Sequence, residues 1–425
     1  MKTPSLDIHA SSSSPPLTKL NSQAGNGSLA QTKDMPVQAN DNSIQHHGKS
    51  LRHGLRRTAG KLMKKERVAC CGQRAVGNLV SLHQQGAQAH FGSVETCGSV
   101  WMCPVCAAKI TEGRRDELDS LLDAHRAAGG EVYMATLTIP HHRFQSCKDL
   151  KWAVSRAWGK VKTGKGWQTA RDNSGWIGDV RALEITHGSN GWHPHLHVLV
   201  FFKVGATKGQ MEAYGDWLFG RWSKAVDRLG FGSCSRNAFT YERVNADKGA
   251  ADYMGKWGVA MEMTKAHTKK SKEGRTPWQI LQDYQGHKDH KDAQLFIEYA
   301  FAFKGSRQLT WSQSFTRKNG AEEPSLRNRY LDEPETTDEK LAETTVMAET
   351  QVASVTRPLF KVIADKAMTA SILEAQERGG LPAVQSLLTT RGIPWSISEI
   401  PGLLEGTFVP LISLGNSRGH SPKPT

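Results

Sequence analysis

The stretch GWHPHLHVLVFF, residues 191–202, decides how the middle of this chain folds. A β-strand places every second side chain on one face, so His193, His195 and His197 point the same way. The apolar run that follows them fixes the strand in a sheet, and Pro194 favours a strand start or an edge. Three imidazoles on one face indicate a metal or catalytic cluster, with ordinary core or surface histidines as the alternative.

The segments around this strand predict an antiparallel sheet. Residues 131–140 (EVYMATLTIP) alternate like a half-buried strand, and residues 180–186 (VRALEIT) form a hairpin with the histidine strand through the turn HGSNG. A helix follows at about 208–229, then a strand at about 236–244 and a helix near 248–262. This order predicts an α+β fold, with an antiparallel sheet and helices on one face.

The composition favours a nucleic-acid partner. The chain has 425 residues, with 55 Lys+Arg against 41 Asp+Glu and a formal net charge of +14. Such an excess is typical of proteins that bind polyanions, although a soluble protein with a basic tail is the alternative. No stretch is apolar and long enough for a membrane helix, and the N-terminus lacks the apolar core of a signal peptide. A cytoplasmic location without a membrane partner is therefore expected.

Changes in composition predict five regions along the chain. The polar residues from 1 to about 48 cannot bury enough apolar surface to fold. The basic run that follows, KSLRHGLRRTAGKLMKKER, is either a DNA-contacting arm or a solvated helix face. Residues 262–290 have the composition of a loop, and helical spacing near the C-terminus stops at Gly379-Gly380. The regions are a disordered basic N-terminal region (1–66), a cysteine cluster with a helix (67–130), the domain of the histidine strand (131–318), an acidic linker (319–357), and a small helical module with a tail (358–425).

The cysteines form a cluster that indicates a structural metal site. ACCGQRAVG (69–77) precedes ETCGSVWMCPVCAAKI (95–110), which contains a C-x2-C knuckle. Four thiolates suit tetrahedral zinc, whereas a redox pair or unligated buried cysteines are the alternatives. Cys147 and Cys234 stand apart and are most simply core residues. The predicted zinc ligands are Cys70, Cys97, Cys103 and Cys106, with Cys71 as the alternative to Cys70 and with His83 or His90 as a possible replacement for one cysteine.

Two functional interpretations fit the histidine strand. HPHLHVL fits the histidine-triad nucleotide hydrolases, in which a histidine is the nucleophile. It also fits the His-hydrophobe-His pair of HUH nucleases, in which His195 and His197 would hold a divalent metal. The second interpretation requires a tyrosine on a nearby helix and a third, usually acidic or polar, ligand. Histidine-triad domains are small and require neither zinc nor a strongly basic chain, so the rest of the sequence favours the nuclease.

The segment KGAADYMGKWG (248–258) supplies the tyrosine. On a helix, Tyr253, Lys256 and Trp257 share one face. A phenol is a poor nucleophile near neutral pH and needs a metal to activate the phosphate that it attacks. Lys256 would hold a phosphate or stabilise developing charge. The alternative is a core stripe of the two aromatic residues beside a solvated lysine.

Glu184 is the predicted third ligand. If the hairpin turn comprises His187 to Asn190, Glu184 lies opposite His193 and diagonal to His195, on the same face of the sheet. A register slip of one residue would turn Glu184 away from the histidines. A surface glutamate is the alternative.

These motifs together resemble the rolling-circle plasmid replication initiators, the Rep proteins of the HUH endonuclease superfamily. TLTIP (136–140), GWHPHLHVLV (191–200) and AADYMGKWG (250–258) occur in the order of the three motifs of that family. CGSVWMCPVC (97–106) also looks like the family, although Val100 stands where a basic residue is common. FKGSRQLTWS resembles the end of the domain in bacterial members, so the similarity spans about residues 68–318.

The resemblance implies an HUH/RRM-like nicking and joining domain over residues 131–318. Tyr253 would join the 5′-phosphate of a single-stranded or cruciform site in plasmid origin DNA, and leave a 3′-hydroxyl for synthesis. His195, His197 and Glu184 would hold Mg²⁺ or Mn²⁺ against the scissile phosphate. A host helicase and DNA polymerase are the further partners that the resemblance implies.

One departure from the family concerns how a round of replication ends. Many relatives carry a glutamate four residues before the tyrosine, and here Gly249 stands there. Asp247, Asp252 and Tyr241 are candidate substitutes. The rival functions are an HUH relaxase or transposase and a non-enzymatic zinc DNA-binding protein. Relaxases usually place the tyrosine before the histidine motif, and such transposases usually lack a zinc knuckle.

Overall fold

A computed structural model of the chain describes residues 38–244, 274–316, 337–343, 350–397 and 407–409. Its strands are β1 (Leu79–Gln85), β2 (Gln88–Phe91), β3 (Glu131–Thr138), β4 (Trp176–Gly188), β5 (Gly191–Phe202), β6 (Phe239–Arg243), β7 (Leu309–Trp311), β8 (Thr350–Thr356), β9 (Ser396–Ile397) and β10 (Thr407–Val409). Its helices are α1 (Gln38–Leu62), α2 (Pro104–Ala127), α3 (Cys147–Val161), α4 (Gly164–Ser174), α5 (Lys208–Asp227), α6 (Pro277–His287), α7 (His290–Phe303), α8 (Gln313–Thr316), α9 (Asp338–Glu343), α10 (Arg357–Asp365) and α11 (Thr369–Thr390), with single 3-10 turns at Arg67–Ala69 and Arg236–Ala238.

The histidine strand β5 lies at the centre of a five-stranded antiparallel sheet. The strand order is β6-β3-β5-β4-β7, so β5 pairs with β3 on one side and β4 on the other. Its apolar second half is buried between two neighbours, which explains the continuous run VLVFF. The predicted α+β class with an antiparallel sheet is confirmed. Pro194 lies within this central strand, close to the hairpin turn, and not at an edge.

Helices cover both faces of this sheet along part of their length, whereas the sequence predicts helices on one face. The larger layer contains α3, α5 and α7, whose buried side chains pack with those of Leu196, Val198 and Val200. Trp222 of α5 anchors this layer, because its indole N–H donates to the carbonyl of Thr138 at 2.9 Å. On the opposite face α2 packs against the end of the sheet remote from the hairpin turn. That smaller core contains Leu118, Leu121, Leu122, Val132, Met134, Leu199, Phe201 and Phe315.

A second five-stranded sheet joins two segments that are far apart in the chain. Its order is β2-β1-β8-β10-β9, and Leu79 of β1 pairs with Thr356 of β8. Strand β8 lies within residues 319–357, for which the sequence predicts a linker. The C-terminal module therefore includes β1 and β2 from the predicted cysteine region. Ala353 and Val355 alternate along β8 and are buried against α10 and α11. Burial of these side chains stabilises β8 as a strand.

Two further segments are more ordered than predicted. Helix α1 occupies part of the region 1–66, for which disorder is predicted, because Leu55 and Ala59 are spaced four apart and are completely buried. Helices α6 and α7 occupy part of the predicted loop 262–290. Thr276 and Gln279 form a capping box at the start of α6, and this local signal outweighs the polar composition. The break predicted at Gly379-Gly380 occurs within α11.

The smaller core predicts a large stability cost for Phe201→Ala. Phe201 is completely buried and packs edge to face on Phe315, with ring centroids 5.1 Å apart. Truncation leaves a cavity, and we expect the free energy of unfolding to fall by about 3–5 kcal/mol. Urea denaturation followed by tryptophan fluorescence measures the change. Val204→Ala, at a side chain that is 60% exposed, is the control and should change stability by less than about 0.5 kcal/mol. Equal effects of the two variants would contradict this account of the core.

Candidate functional site

The hairpin between β4 and β5 brings Glu184 directly opposite His195. Gly188 pairs with Gly191, so Ser189 and Asn190 form a two-residue turn. The four-residue turn predicted from the sequence, His187 to Asn190, would instead place Glu184 opposite His193. Because the register differs by two residues and side chains alternate with period two, Glu184 still lies on the predicted face. The shorter turn moves Glu184 two residue positions along β5 toward His197.

Glu184, His195 and His197 form a cluster that could hold a metal ion. One potential ligand atom from each side chain lies within 4.8 Å of the others. The imidazole Nε2 of His197 is 3.0 Å from a carboxylate oxygen of Glu184, and its Nδ1 is 3.1 Å from the hydroxyl of Thr136 on β3. The hydroxyl oxygen can therefore accept a hydrogen bond from Nδ1–H of His197 while Nε2 faces the carboxylate. In this arrangement Nε2 carries no proton, so a metal ion could lie between Nε2 of His197 and the carboxylate of Glu184.

Burial lowers the pKa of His193 and of His195, and so keeps both rings neutral near pH 7. Burial, and then the neighbouring His197, lower the pKa of His195 to about 4. Burial, followed by His195, lowers the pKa of His193 to about 4 as well. A neutral imidazole is the form that binds a metal. Near neutral pH these rings thus present lone pairs and carry no positive charge that would repel a cation.

His193 belongs to the same face and contacts His141, a residue that the sequence motifs do not predict at the site. Its ring lies 4.4 Å from that of His195, and its Nδ1 forms a hydrogen bond with Nε2 of His141. His141 follows β3, whose last residue Thr138 pairs with His195. The HH pair after TLTIP could have indicated this contact, since strand β3 ends beside the histidines.

A second group consists of four buried thiols. Sγ of Cys71 lies 3.6 Å from that of Cys103 and 3.5 Å from that of Cys106, and Cys97 lies 3.6 Å from Cys106. Sulfur atoms at about 2.3 Å from a tetrahedral ion lie about 3.8 Å apart, so these separations fit a bound metal and exclude disulfides. The fourth member is Cys71, not Cys70, which is partly exposed. The choice of Cys70 is corrected accordingly.

The start of α2 positions two of these thiols. Cys103 caps the helix by accepting a hydrogen bond from the backbone N–H of Cys106, and Pro104 begins the first turn. Hydrogen bonds from neighbouring thiols, that of Cys103 first, hold the pKa of Cys106 well below its usual value. A helix N-terminus also favours a thiolate, which is the form that binds a metal. As predicted, Cys147 and Cys234 are buried core residues outside this group.

The predicted nucleophile lies outside the described residues. Tyr253 and Lys256 fall in the segment 245–273, as do Gly249, Asp247 and Asp252. Tyr241 is described, and its position does not suit a second acceptor. It pairs with Ala135 and so lies on the face opposite the histidines. Its hydroxyl donates to the carbonyl of Met211 at 3.1 Å, and burial raises its pKa well above the usual value.

Comparison with known proteins identifies the family of this chain. Residues 90–356, well over half of the chain, match the family described as replication protein. The chain belongs to this replication protein family. The resemblance that the sequence motifs indicated is thereby confirmed at the level of the family. The matched residues include Glu184, His195, His197 and the position of Tyr253.

Two relatives from Streptomyces are similar to this family member. "Protein rep" of Streptomyces lividans is 26% identical over 306 residues, which cover 56% of this chain and 66% of the relative. "Neomycin resistance protein" of Streptomyces cyanogenus is 29% identical over 150 residues, 29% of this chain and 34% of the relative. The chain thus spans less than two thirds of either relative. No solved structure matches, and within the described residues no helix is long and apolar enough to cross a membrane.

The contact between Thr136 and His197 predicts a specific effect on metal binding. Thr136→Val keeps the shape of the side chain but removes the oxygen that orients the imidazole. We expect the affinity for Mn²⁺ to fall about 10- to 100-fold, as measured by titration with electron paramagnetic resonance. Thr138→Val is the control, because the Thr138 hydroxyl donates to the carbonyl of Ala238 and not to a histidine. Wild-type affinity in both variants would show that Thr136 does not orient the ligand.

Proposed function

We propose that this replication protein initiates rolling-circle replication of a plasmid by nicking one strand at the origin. The observation that carries the proposal is the cluster of Glu184, His195 and His197 on one face of the central sheet. Family membership supports a role in replication, and the net charge of +14 supports a polyanionic partner. We infer that the cluster receives the scissile phosphate of one DNA strand.

The residues of the cluster fit a hard divalent cation such as Mg²⁺ or Mn²⁺. One carboxylate and two imidazoles would leave open positions on the ion for a phosphate oxygen and water. A bound ion would supply Lewis-acid polarisation of the phosphate. Glu184 contributes the negative charge that offsets the ion, and Thr136 holds the His197 ring in the orientation that its Nε2 requires.

Tyr253 is the proposed nucleophile. Its phenol oxygen forms a bond to the phosphorus while the bond from phosphorus to the 3′-oxygen breaks. The phenol loses its proton, and the departing 3′-oxygen ends as a hydroxyl that can prime synthesis. Lys256 stabilises the negative charge on the phosphate oxygens during this exchange. The phosphotyrosine conserves the energy of the phosphodiester, so a 3′-hydroxyl can later reverse the step and rejoin the strand.

We further propose that the four thiols bind structural zinc. The ion would connect the turn at Cys71 to Cys97 and to the first turn of α2, three points that are separated in sequence. Closed four-thiolate sites are typical of structural and not catalytic zinc. The cytoplasm, where plasmid DNA resides and thiols stay reduced, is the proposed location. A host helicase and DNA polymerase are the proposed partners once the strand is open.

The two adjacent cysteines allow a matched test of the zinc site. Cys71→Ser removes a member of the thiol group, and we expect bound zinc to fall from about one ion per chain to a small fraction. Cys70→Ser changes the neighbouring thiol, which is outside the group, and should retain the ion. Elemental analysis of the purified proteins gives the ratio of zinc to protein. Loss of zinc in Cys70→Ser but not in Cys71→Ser would show that Cys70 is the ligand. A wild-type protein without bound zinc would show that the four thiols do not form a zinc site.

Two tyrosine variants, one at the proposed nucleophile and one as its control, test the nicking reaction. Tyr253→Phe lacks the attacking oxygen, so we expect open circles and the DNA-linked peptide to disappear from a reaction with supercoiled plasmid and Mn²⁺. The plasmid must carry the gene and its own origin. Tyr241→Phe is the control, since that hydroxyl is buried on the opposite face, and it should still nick.

Three outcomes of this assay separate the candidate functions. An adduct formed by Tyr253→Phe would show that another residue is the nucleophile. Binding of origin DNA by the wild-type protein without any nick would favour a non-enzymatic DNA-binding protein. Loss of nicking in His195→Ala, with DNA binding retained, would support the assignment of the metal cluster.

A further inference from the structure

The loop between β3 and α3 is attached to the histidine strand. His141 contributes its ring to the hydrogen bond with His193, and its Nδ1 lies 3.2 Å from the carbonyl of Asn190. In return the side-chain amide of Asn190 donates to the carbonyl of His141 at 3.0 Å. Because His193 shares a face with His195, this loop begins on the side of the sheet where the metal cluster lies.

Gly191 allows the loop to approach the hairpin closely. Its φ of +83° belongs to the left-handed region, and a Cβ there would lie 2.8 Å from Cα of Arg143. The loop also has internal hydrogen bonds. The backbone N–H of His142 donates to the side-chain oxygen of Gln145 at 2.9 Å, and the N–H of Gln145 donates back to the carbonyl of His142. The backbone at the tip of the loop is therefore held in place beside the site.

This fixed loop presents an aromatic ring and a cation to solvent. Phe144 is 80% exposed, more than any other large apolar side chain among the described residues. The guanidinium of Arg143 lies 4.7 Å from the centre of the Phe144 ring, and the ring of His142 is 6.3 Å away. A single exposed aromatic residue on its own indicates little. Here, three adjacent exposed side chains supply two planar rings and a guanidinium. They lie beside the cluster that could hold a metal ion and, with it, a phosphate.

We propose that His142, Arg143 and Phe144 form a stacking platform for an unpaired base of the DNA strand that is nicked. Phe144 stacks on the base, and Arg143 contacts a neighbouring phosphate. Single-stranded nucleic acid is bound in this way, by aromatic faces for the bases and by cations for the backbone. Phe144 follows His141 by three positions, so their Cα atoms lie at most about 11 Å apart. The bound base therefore belongs to a nucleotide close to the scissile bond.

This inference rests on the proposed function, and DNA binding without metal tests it separately from nicking. The probes are a fluorescent oligothymidylate and an abasic deoxyribose-phosphate oligomer of the same length, with affinities measured by fluorescence anisotropy in EDTA. Phe144→Ala should weaken binding of the oligothymidylate about 5- to 150-fold and leave binding of the abasic oligomer unchanged. Phe144→Trp should retain the affinity, because indole also stacks.

The matched control is Trp152→Ala. Trp152 is 56% exposed, but it lies on α3, which packs against the opposite face of the sheet, and its loss should change neither affinity. Unchanged binding of oligothymidylate by Phe144→Ala overturns the platform. Equal losses for both probes also overturn it, since Phe144 would then act on the loop and not on a base. If the wild-type protein binds neither probe, the proposed function fails together with the platform.

Discussion

The register between β4 and β5 is the constraint on which the rest of the site depends. A turn of two residues places Glu184 opposite His195, and the alternation of the two strands then puts the carboxylate and both imidazoles on one face. A slip of one residue would move the carboxylate to the apolar face, where burial of an unpaired charge is costly. The cluster therefore depends on a short turn at Ser189 and Asn190 as much as on the histidines themselves.

The neighbouring strand and the helical layer hold this register in place. Strand β3 supplies Thr136 to the His197 ring, and its own register is fixed by eight successive pairs from Glu131 to Thr138. Below the site, the apolar side chains that alternate with the histidines are buried against α3 and α5. A displacement of β5 would thus disrupt a large core as well as the polar cluster. Strand β5 belongs to both the hydrophobic core and the site, so packing of the core restrains the positions of the histidines.

Structure could be predicted from the sequence where the local pattern of apolar and polar residues agrees with the packing between distant segments. Period-two alternation identified the central strands, and the same alternation placed Glu184 on the correct face although the length of the turn was wrong. Spacing located Cys97, Cys103 and Cys106, three of the four thiols in the group. It could not show which of the adjacent Cys70 and Cys71 is the fourth, because that depends on which side chain the backbone turns inward. His141 was missed because its partner His193 lies 52 residues away. The ordered α1 and β8 were missed because their burial depends on distant segments.

The pairing of β1 with β8 has a consequence for how the chain reaches its final form. Leu79 leaves the ribosome long before its partner Thr356, which lies in the C-terminal part of the described fold. The edge of β1 therefore stays without this partner through most of synthesis, and its exposed backbone groups are open to incorrect pairing with other chains. Helix α1 packs on both α2 and α11. Thr369 and Leu373 of α11 line the same cavity as Cys71 and Cys106. A chain that stops before α11 would thus lack part of the surroundings of the thiols as well as its last module.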